Sequence, residues 1–127
     1  MTKKHKYNAV ATLERAGISY EDAAALRRAS LTLHRWFEHE CNGTIQRDEE
    51  SGKAFWYNAD TGHRLYQALD RETGALKRIA AIMAKYAPLD YYVQGDPRGA
   101  ALYILRPGDV PEGQNKDAYY SRGIVVY

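Results

Sequence analysis

The residues of this chain that could do chemistry are scattered, and their spacing argues against the common catalytic arrangements. His34, His39, Cys41 and His63 are the soft metal-ligand types between positions 30 and 65. His34 and His39 stand about 140° apart around a helix and so do not share a face. Zinc motifs use His at i, i+4 on a helix or a Cys-x-x-Cys knuckle, and neither occurs here. Cys41 falls near the C-terminus of an expected helix, the dipole end that does not lower a thiol pKa. The carboxylates Glu38/Glu40 and Asp48/Glu49/Glu50 lie in polar runs without the burial that raises a pKa for acid catalysis. Phosphate-cradling glycine loops and nucleophile elbows are missing. No catalytic residue, metal or cofactor is expected.

Two stretches exceed structural need. The turn Asp96-Pro97-Arg98-Gly99 places a guanidinium at its tip, suited to bidentate contact with a carboxylate or phosphate. A solvated Asp-Pro-x-Gly turn explains the same residues without any function. The run from Arg106 to Ser121 is predicted to be structureless, and a loop of about 16 residues inside a small domain is usually functional or disordered. It holds Asp109, Glu112, Lys116, Asp117, Tyr119 and Tyr120, with Arg122 just beyond. A loop that only covers a sheet edge would have this composition too. The chain has 11 Tyr against 2 Phe and 2 Trp, and Tyr joins an apolar body to a polar tip, which suits surfaces buried intermittently. The expected binding surface is therefore Tyr92, Asp96, Arg98, Tyr103, Tyr119, Tyr120 and Arg122.

The elements that position these residues follow from periodicity. Leu89–Gln94 and Ala100–Leu105 flank the turn as β-branched and aromatic strands, and Ile124–Tyr127 reads as a third strand. Upstream, a short helix is predicted over 7–16, stopped by Gly17. Ser19, Asp22 and Ile18 make the best helix start, with a long helix over 20–40 and Asn42-Gly43 closing it. Leu26, Ala29, Leu33, Trp36 and Phe37 lie along one stripe, and Leu26, Leu33 and Trp36 should face Ile79, Met83, Leu102 and Ile104. Residues 44–53 read as a polar loop. Phe55-Trp56-Tyr57 and His63-Arg64-Leu65-Tyr66 flank an Asn58–Gly62 turn, predicting a hairpin. The wording Trp56-Tyr57-Asn58-x-x-Thr61-Gly62 is similar to the second hairpin of WW domains, which bind proline-rich peptides. The closing Trp-x-x-Pro and the earlier signature Trp are absent, so only the hairpin chemistry is carried over. Asp70 should cap a further helix over 71–86, weakened by Gly74 and ended by Ala87-Pro88. The fold class is α+β, with N-terminal helices and a short hairpin packed on a small, mainly antiparallel C-terminal sheet.

At 127 residues a single domain spanning 1–127 is expected. A net charge of +2 is too small to argue for a strong electrostatic partner. Lys3, Lys4 and Lys6 form a short basic arm. One cysteine rules out an internal disulfide and suits a reducing compartment, and no apolar run has signal-peptide or membrane-spanning length. The expectation is a soluble, cytoplasmic protein that meets no membrane.

The stretch Tyr91-Tyr92-Val93-Gln94-Gly95-Asp96-Pro97-Arg98-Gly99-Ala100-Ala101-Leu102-Tyr103-Ile104, with Arg106-Pro107-Gly108-Asp109 and Tyr120-Ser121-Arg122-Gly123, resembles small uncharacterised proteins of phages and prophages. The resemblance reaches back to Leu33-His34-Arg35-Trp36 and covers roughly the last three quarters of the chain. It implies a phage or mobile-element origin and brings no catalytic residues with it. Three function classes follow, in order. The first is a non-catalytic module that docks a host protein or complex and blocks defence or nucleic-acid processing. The second is a nucleic-acid binder using the Lys arm with Arg27, Arg28, Arg64, Lys77 and Arg78. The third is a small enzyme with a site around Asp96 and Arg98.

Overall fold

The computed structural model describes residues 8–40, 45–97 and 99–127. Asn8 opens the first helix by accepting the Ala11 N–H on its side chain at 3.0 Å, and α1 runs Ala9–Arg15. Ser19 does the same for α2, Tyr20–Glu40, its Oγ accepting the Asp22 N–H at 3.2 Å. The predicted stop of this helix at Asn42-Gly43 lies outside the described residues. Asp22 does not close a capping box. Its carboxylate leaves the helix start and accepts from the Tyr86 hydroxyl and from Lys85 Nζ at 2.9 Å.

Leu26, Leu33 and Phe37 of α2 are fully buried. Trp36, expected in that stripe, is only partly buried against it. Phe37, four residues after Leu33, takes the centre of the face, and Trp36 falls on its flank. The two rings meet edge-on at 5.5 Å, and the buried indole N–H finds no partner among the described residues.

The middle of the chain departs from the periodicity reading. The run read as a polar loop folds into a hairpin, β1 Ile45–Arg47 paired antiparallel with β2 Ala54–Trp56. Asp48 nucleates its turn, accepting the Glu50 N–H at 2.8 Å. The predicted second arm at 63–66 is instead helical. Asn58 caps α3, Ala59–Thr73, by accepting the N–H and hydroxyl of Thr61 at 2.8 and 2.9 Å. An Asn followed by Asp, Thr and Gly serves a turn or a helix start equally well. The tie is broken downstream, where Gly62, Leu65, Tyr66 and Leu69 recur at i, i+3, i+4 and i+7.

The single helix predicted over 71–86 is likewise two. α3 ends at Gly74, whose φ of 66° is the left-handed conformation glycine adopts without strain. α4, Ala75–Met83, starts at once. Asp70, expected to cap a helix starting at Arg71, instead lies inside α3, and the N-cap of α4 is Gly74. The Asp70 carboxylate does accept the Lys77 N–H in the first turn of α4 at 3.2 Å.

The C-terminal sheet has β3 Asp90–Asp96, β4 Gly99–Leu105 and β5 Ile124–Val126 in the order β3-β4-β5, all antiparallel. A two-residue connection between Asp96 and Gly99 sets the register. α2 packs on one face of this sheet. Leu102, Ile104 and Val126 are fully buried there in one cluster with Leu26, Leu33 and Ile79. Ser30, buried in that contact, accepts the Leu102 N–H at 3.2 Å and donates its hydroxyl to the Val126 carbonyl. The molecule is an α+β fold, with helices N-terminal and the main sheet C-terminal.

Candidate functional site

The strand register fixes what the outer face of the sheet presents. Tyr92 lies opposite Tyr103, and Tyr103 opposite Val125. Their neighbours Leu102, Ile104, Ile124 and Val126 point inward and are buried, while all three of these side chains remain half-buried. The chain between β4 and β5 arches over this face. It contains short 3₁₀ turns at Lys116–Ala118 and Tyr120–Arg122.

Polar contacts close that loop on itself. Arg106 donates from Nε to Asp109 at 3.0 Å and from its guanidinium to the Arg122 carbonyl at 3.0 Å. The start and end of the loop are thereby tied, as in a compact Ω-loop. The backbone at Arg106-Pro107-Gly108-Asp109 turns through an Asp109 N–H to Arg106 carbonyl bond of 3.0 Å. Pro at the second position and Gly108 at φ +91° at the third fit a type II turn. Farther along, Lys116 reaches the outer edge of β3. Its Nζ contacts the Asp90 carboxylate at 3.2 Å and donates to the Tyr91 carbonyl at 3.1 Å.

Tyr120 then drops onto the sheet. Its ring stacks on Tyr92 at 4.9 Å with an interplanar angle of 15° and meets Tyr103 edge-on at 4.9 Å. The three rings form one cluster, both pairs lying in the distance range where aromatic rings attract. Burial first, then Asp117 and Tyr120, holds the Tyr92 hydroxyl above the ordinary tyrosine pKa. It is thus a neutral donor and acceptor under physiological conditions. Beside the cluster the Arg122 guanidinium lies 4.7 Å over the Tyr119 ring, a cation–π pair, with Arg122 exposed and Tyr119 half-buried.

Of the residues expected to form a surface, Tyr92, Tyr103 and Tyr120 are in mutual contact and Tyr119 and Arg122 adjoin them. Asp96 ends β3 four residues beyond Tyr92, about 13 Å along the strand, so its backbone stands apart from this cluster. Arg98 lies outside the described residues, as do Cys41 and the arm Lys3, Lys4 and Lys6. Arg27, Arg28, Arg64, Lys77 and Arg78 are exposed on helices, and Arg78 is engaged in donating to the Thr73 carbonyl at 2.8 Å. His34 contacts the Ala100 carbonyl at 3.3 Å and Glu38 at 3.7 Å, while His63 meets Gln67 at 3.2 Å. Among the described residues no three His, Cys, Asp or Glu side chains converge as a metal site, and no helix is long and apolar enough to cross a membrane.

Sequence reasoning missed the Arg106–Asp109 clamp and the Lys116–Asp90 tie. The first was readable as charges at i and i+3 around Pro-Gly. The second, between residues 26 apart, left no local signal. No family model, curated protein or solved structure matches the chain.

Proposed function

We propose that the chain is a non-catalytic binding protein of phage or prophage type. It docks a host protein through the outer face of its C-terminal sheet and thereby blocks a defence or nucleic-acid-processing complex. The observation that carries this reading is the half-exposed Tyr92–Tyr103–Tyr120 cluster with the Tyr119–Arg122 pair at its side. Tyr and Arg are enriched among the few residues that carry most of the energy at protein interfaces, Tyr for contact area with few rotamers to freeze and Arg for its fork of directed hydrogen bonds. A nearly balanced net charge of +2 speaks for a protein partner over nucleic acid.

The test is affinity capture from a host extract, with binding curves for the captured protein against wild type, Tyr119→Ala and Arg122→Ala at two salt concentrations. Each variant should keep its fold and lose at least about 1–2 kcal/mol of affinity. Unchanged binding by both would overturn the surface. Binding to DNA or RNA that falls steeply with salt would transfer the function to the basic residues.

A further inference from the structure

Among the described residues β3 is an edge strand, paired with β4 on one side only. The Tyr91 N–H donates to the Asp90 carboxylate at 2.8 Å, and the Tyr91 carbonyl accepts from Lys116 at 3.1 Å. Both groups therefore turn away from β4. Across the pair, the Leu102 N–H turns away from β3 to Ser30, and Leu102 stands opposite Val93. Backbone groups two residues apart in a strand face the same edge. The N–H and carbonyl of Val93 thus face outward in one row with those of Tyr91 and Gly95.

On either side of Val93 that row is closed. At Tyr91 both groups are taken, and Lys116 and Asp90 are ion-paired there, a charged plug of the kind by which edges refuse a new strand. At Gly95 the carbonyl accepts a long bond from the Gln94 side chain at 3.5 Å, and the Tyr66 hydroxyl lies 2.1 Å from where a Cβ would stand. No hydrogen bond joins Val93 to a side chain or to another element among the described residues. Beside it opens a cavity of about 610 Å³, lined by Tyr66 and Leu76 from the helices, by Tyr91, Tyr92 and Val93 from β3, and by Lys116. This volume is in the range of small-molecule sites.

One open residue offers one donor and one acceptor, side by side. A peptide strand needs a run of such pairs, and the closures flanking Val93 deny it one. A flat ring with an adjacent acceptor and donor on one edge needs only this pair, and tyrosine rings suit its faces. Charge narrows the class further. The Lys116 ammonium is spent on Asp90, on the Tyr91 carbonyl and, at 5.6 Å, on the Tyr91 ring, so it is not free to hold a phosphate. We propose that this cavity binds an uncharged nucleobase or nucleoside, with the edge of the base paired to the N–H and carbonyl of Val93. The cavity borders the tyrosine face at Tyr92, but its ligand does not depend on that face docking a protein.

Amide-proton spectra of the whole protein, titrated separately with uracil, hypoxanthine and adenine, test this. At least one base should move the Val93 N–H downfield and saturably. The same base methylated on its edge nitrogen loses the donor and should bind at least about tenfold more weakly. Leu76→Trp, which fills the cavity, should abolish the shift. Arg122→Ala should leave it unchanged, which separates this site from the protein-docking surface. No saturable Val93 shift with any of the three bases, equal binding of the methylated and parent base, or full binding to a folded Leu76→Trp protein would each overturn the proposal. Should Leu76→Trp not fold, the Val93 shift and the methylated base on the wild-type protein decide.

Discussion

The two faces of the C-terminal sheet are built from the same strands and are finished in different ways. The inner face carries Leu102, Ile104 and Val126, all with no solvent exposure, under a 21-residue helix. The outer face carries Tyr92, Tyr103 and Val125, half-buried under a loop that rests on the two tyrosines through the Tyr120 ring. One step along a strand moves a side chain from one environment to the other, because the side-chain period is two. Aliphatic side chains sealed by a helix give stability and nothing for a partner to reach. Rings with a polar tip under a loop cost little to leave partly wet and can be covered again by another molecule. Tight packing and partial exposure are thus separated across the thickness of one sheet, and the proposed recognition falls on the wetter side.

That division is broken first by truncating each face. Leu102→Ala should lower the unfolding free energy by about 2–5 kcal/mol, the range for a fully buried leucine whose surroundings relax only in part. Tyr120→Ala removes two ring contacts and should cost less, about 1–2 kcal/mol, mostly by freeing the loop. Denaturant titrations of both variants measure the difference. A Tyr120 variant as unstable as the Leu102 variant would make the outer face a second core and remove the argument for recognition there.

The inner face was also the more legible one. Ser19 and the stripe from Leu26 to Leu33 placed α2 at Tyr20–Glu40, because cap and periodicity agreed. The turn at Pro97 was legible, but the register that sets Tyr92 opposite Tyr103, which follows by counting outward from Asp96 and Gly99, was not drawn from it. Asn58 misled because its side chain suits a hairpin turn and a helix cap alike, and the four residues His63-Arg64-Leu65-Tyr66 are too short a window to choose a period. Gly74 was read as a weak point within a helix when it is the junction of two. For the candidate surface, the strand tyrosines could be paired from sequence, but the descent of Tyr120 onto them could not. It depends on Arg106 tying the loop to the Arg122 carbonyl, a contact 16 positions away in the chain.

The helical layer should also respond to both ends of the pH scale, and the tyrosine face to the alkaline end. Asp22 is held below the usual carboxylate range, first by the Tyr86 hydroxyl and then by Lys85. Its folded pKa lies under its unfolded one, so its contribution is present above about pH 4 and is lost as pH falls through the folded value. Lys85, raised chiefly by Asp22, contributes below its ordinary pKa and loses that contribution as pH rises through the folded one. Tyr86→Phe removes the leading cause of the Asp22 shift. Its melting temperature should fall less than that of Tyr120→Ala, and the acid limb of its stability curve should flatten. An acid limb identical to wild type would show that this link between α2 and the end of α4 is idle.

The smallest effect lies on the outer face and involves almost no change in stability near neutral pH. Burial raises the Tyr92 pKa, with help from Asp117 and Tyr120, so the folded protein keeps that proton after exposed tyrosines have lost theirs. The native state then binds more protons than the unfolded one above about pH 10, and Tyr92 makes it less stable as pH climbs. A near-ultraviolet titration of the tyrosines should show one late component. Tyr92→Phe should delete it, and Asp117→Asn should move it to lower pH by a smaller amount than unfolding does. If every tyrosine titrates together, Tyr92 is wetter than the ring stack allows and the outer face is looser than described. The same titration tests the proposed surface. A partner seated on the tyrosine face buries Tyr92 further and pushes the late component higher still.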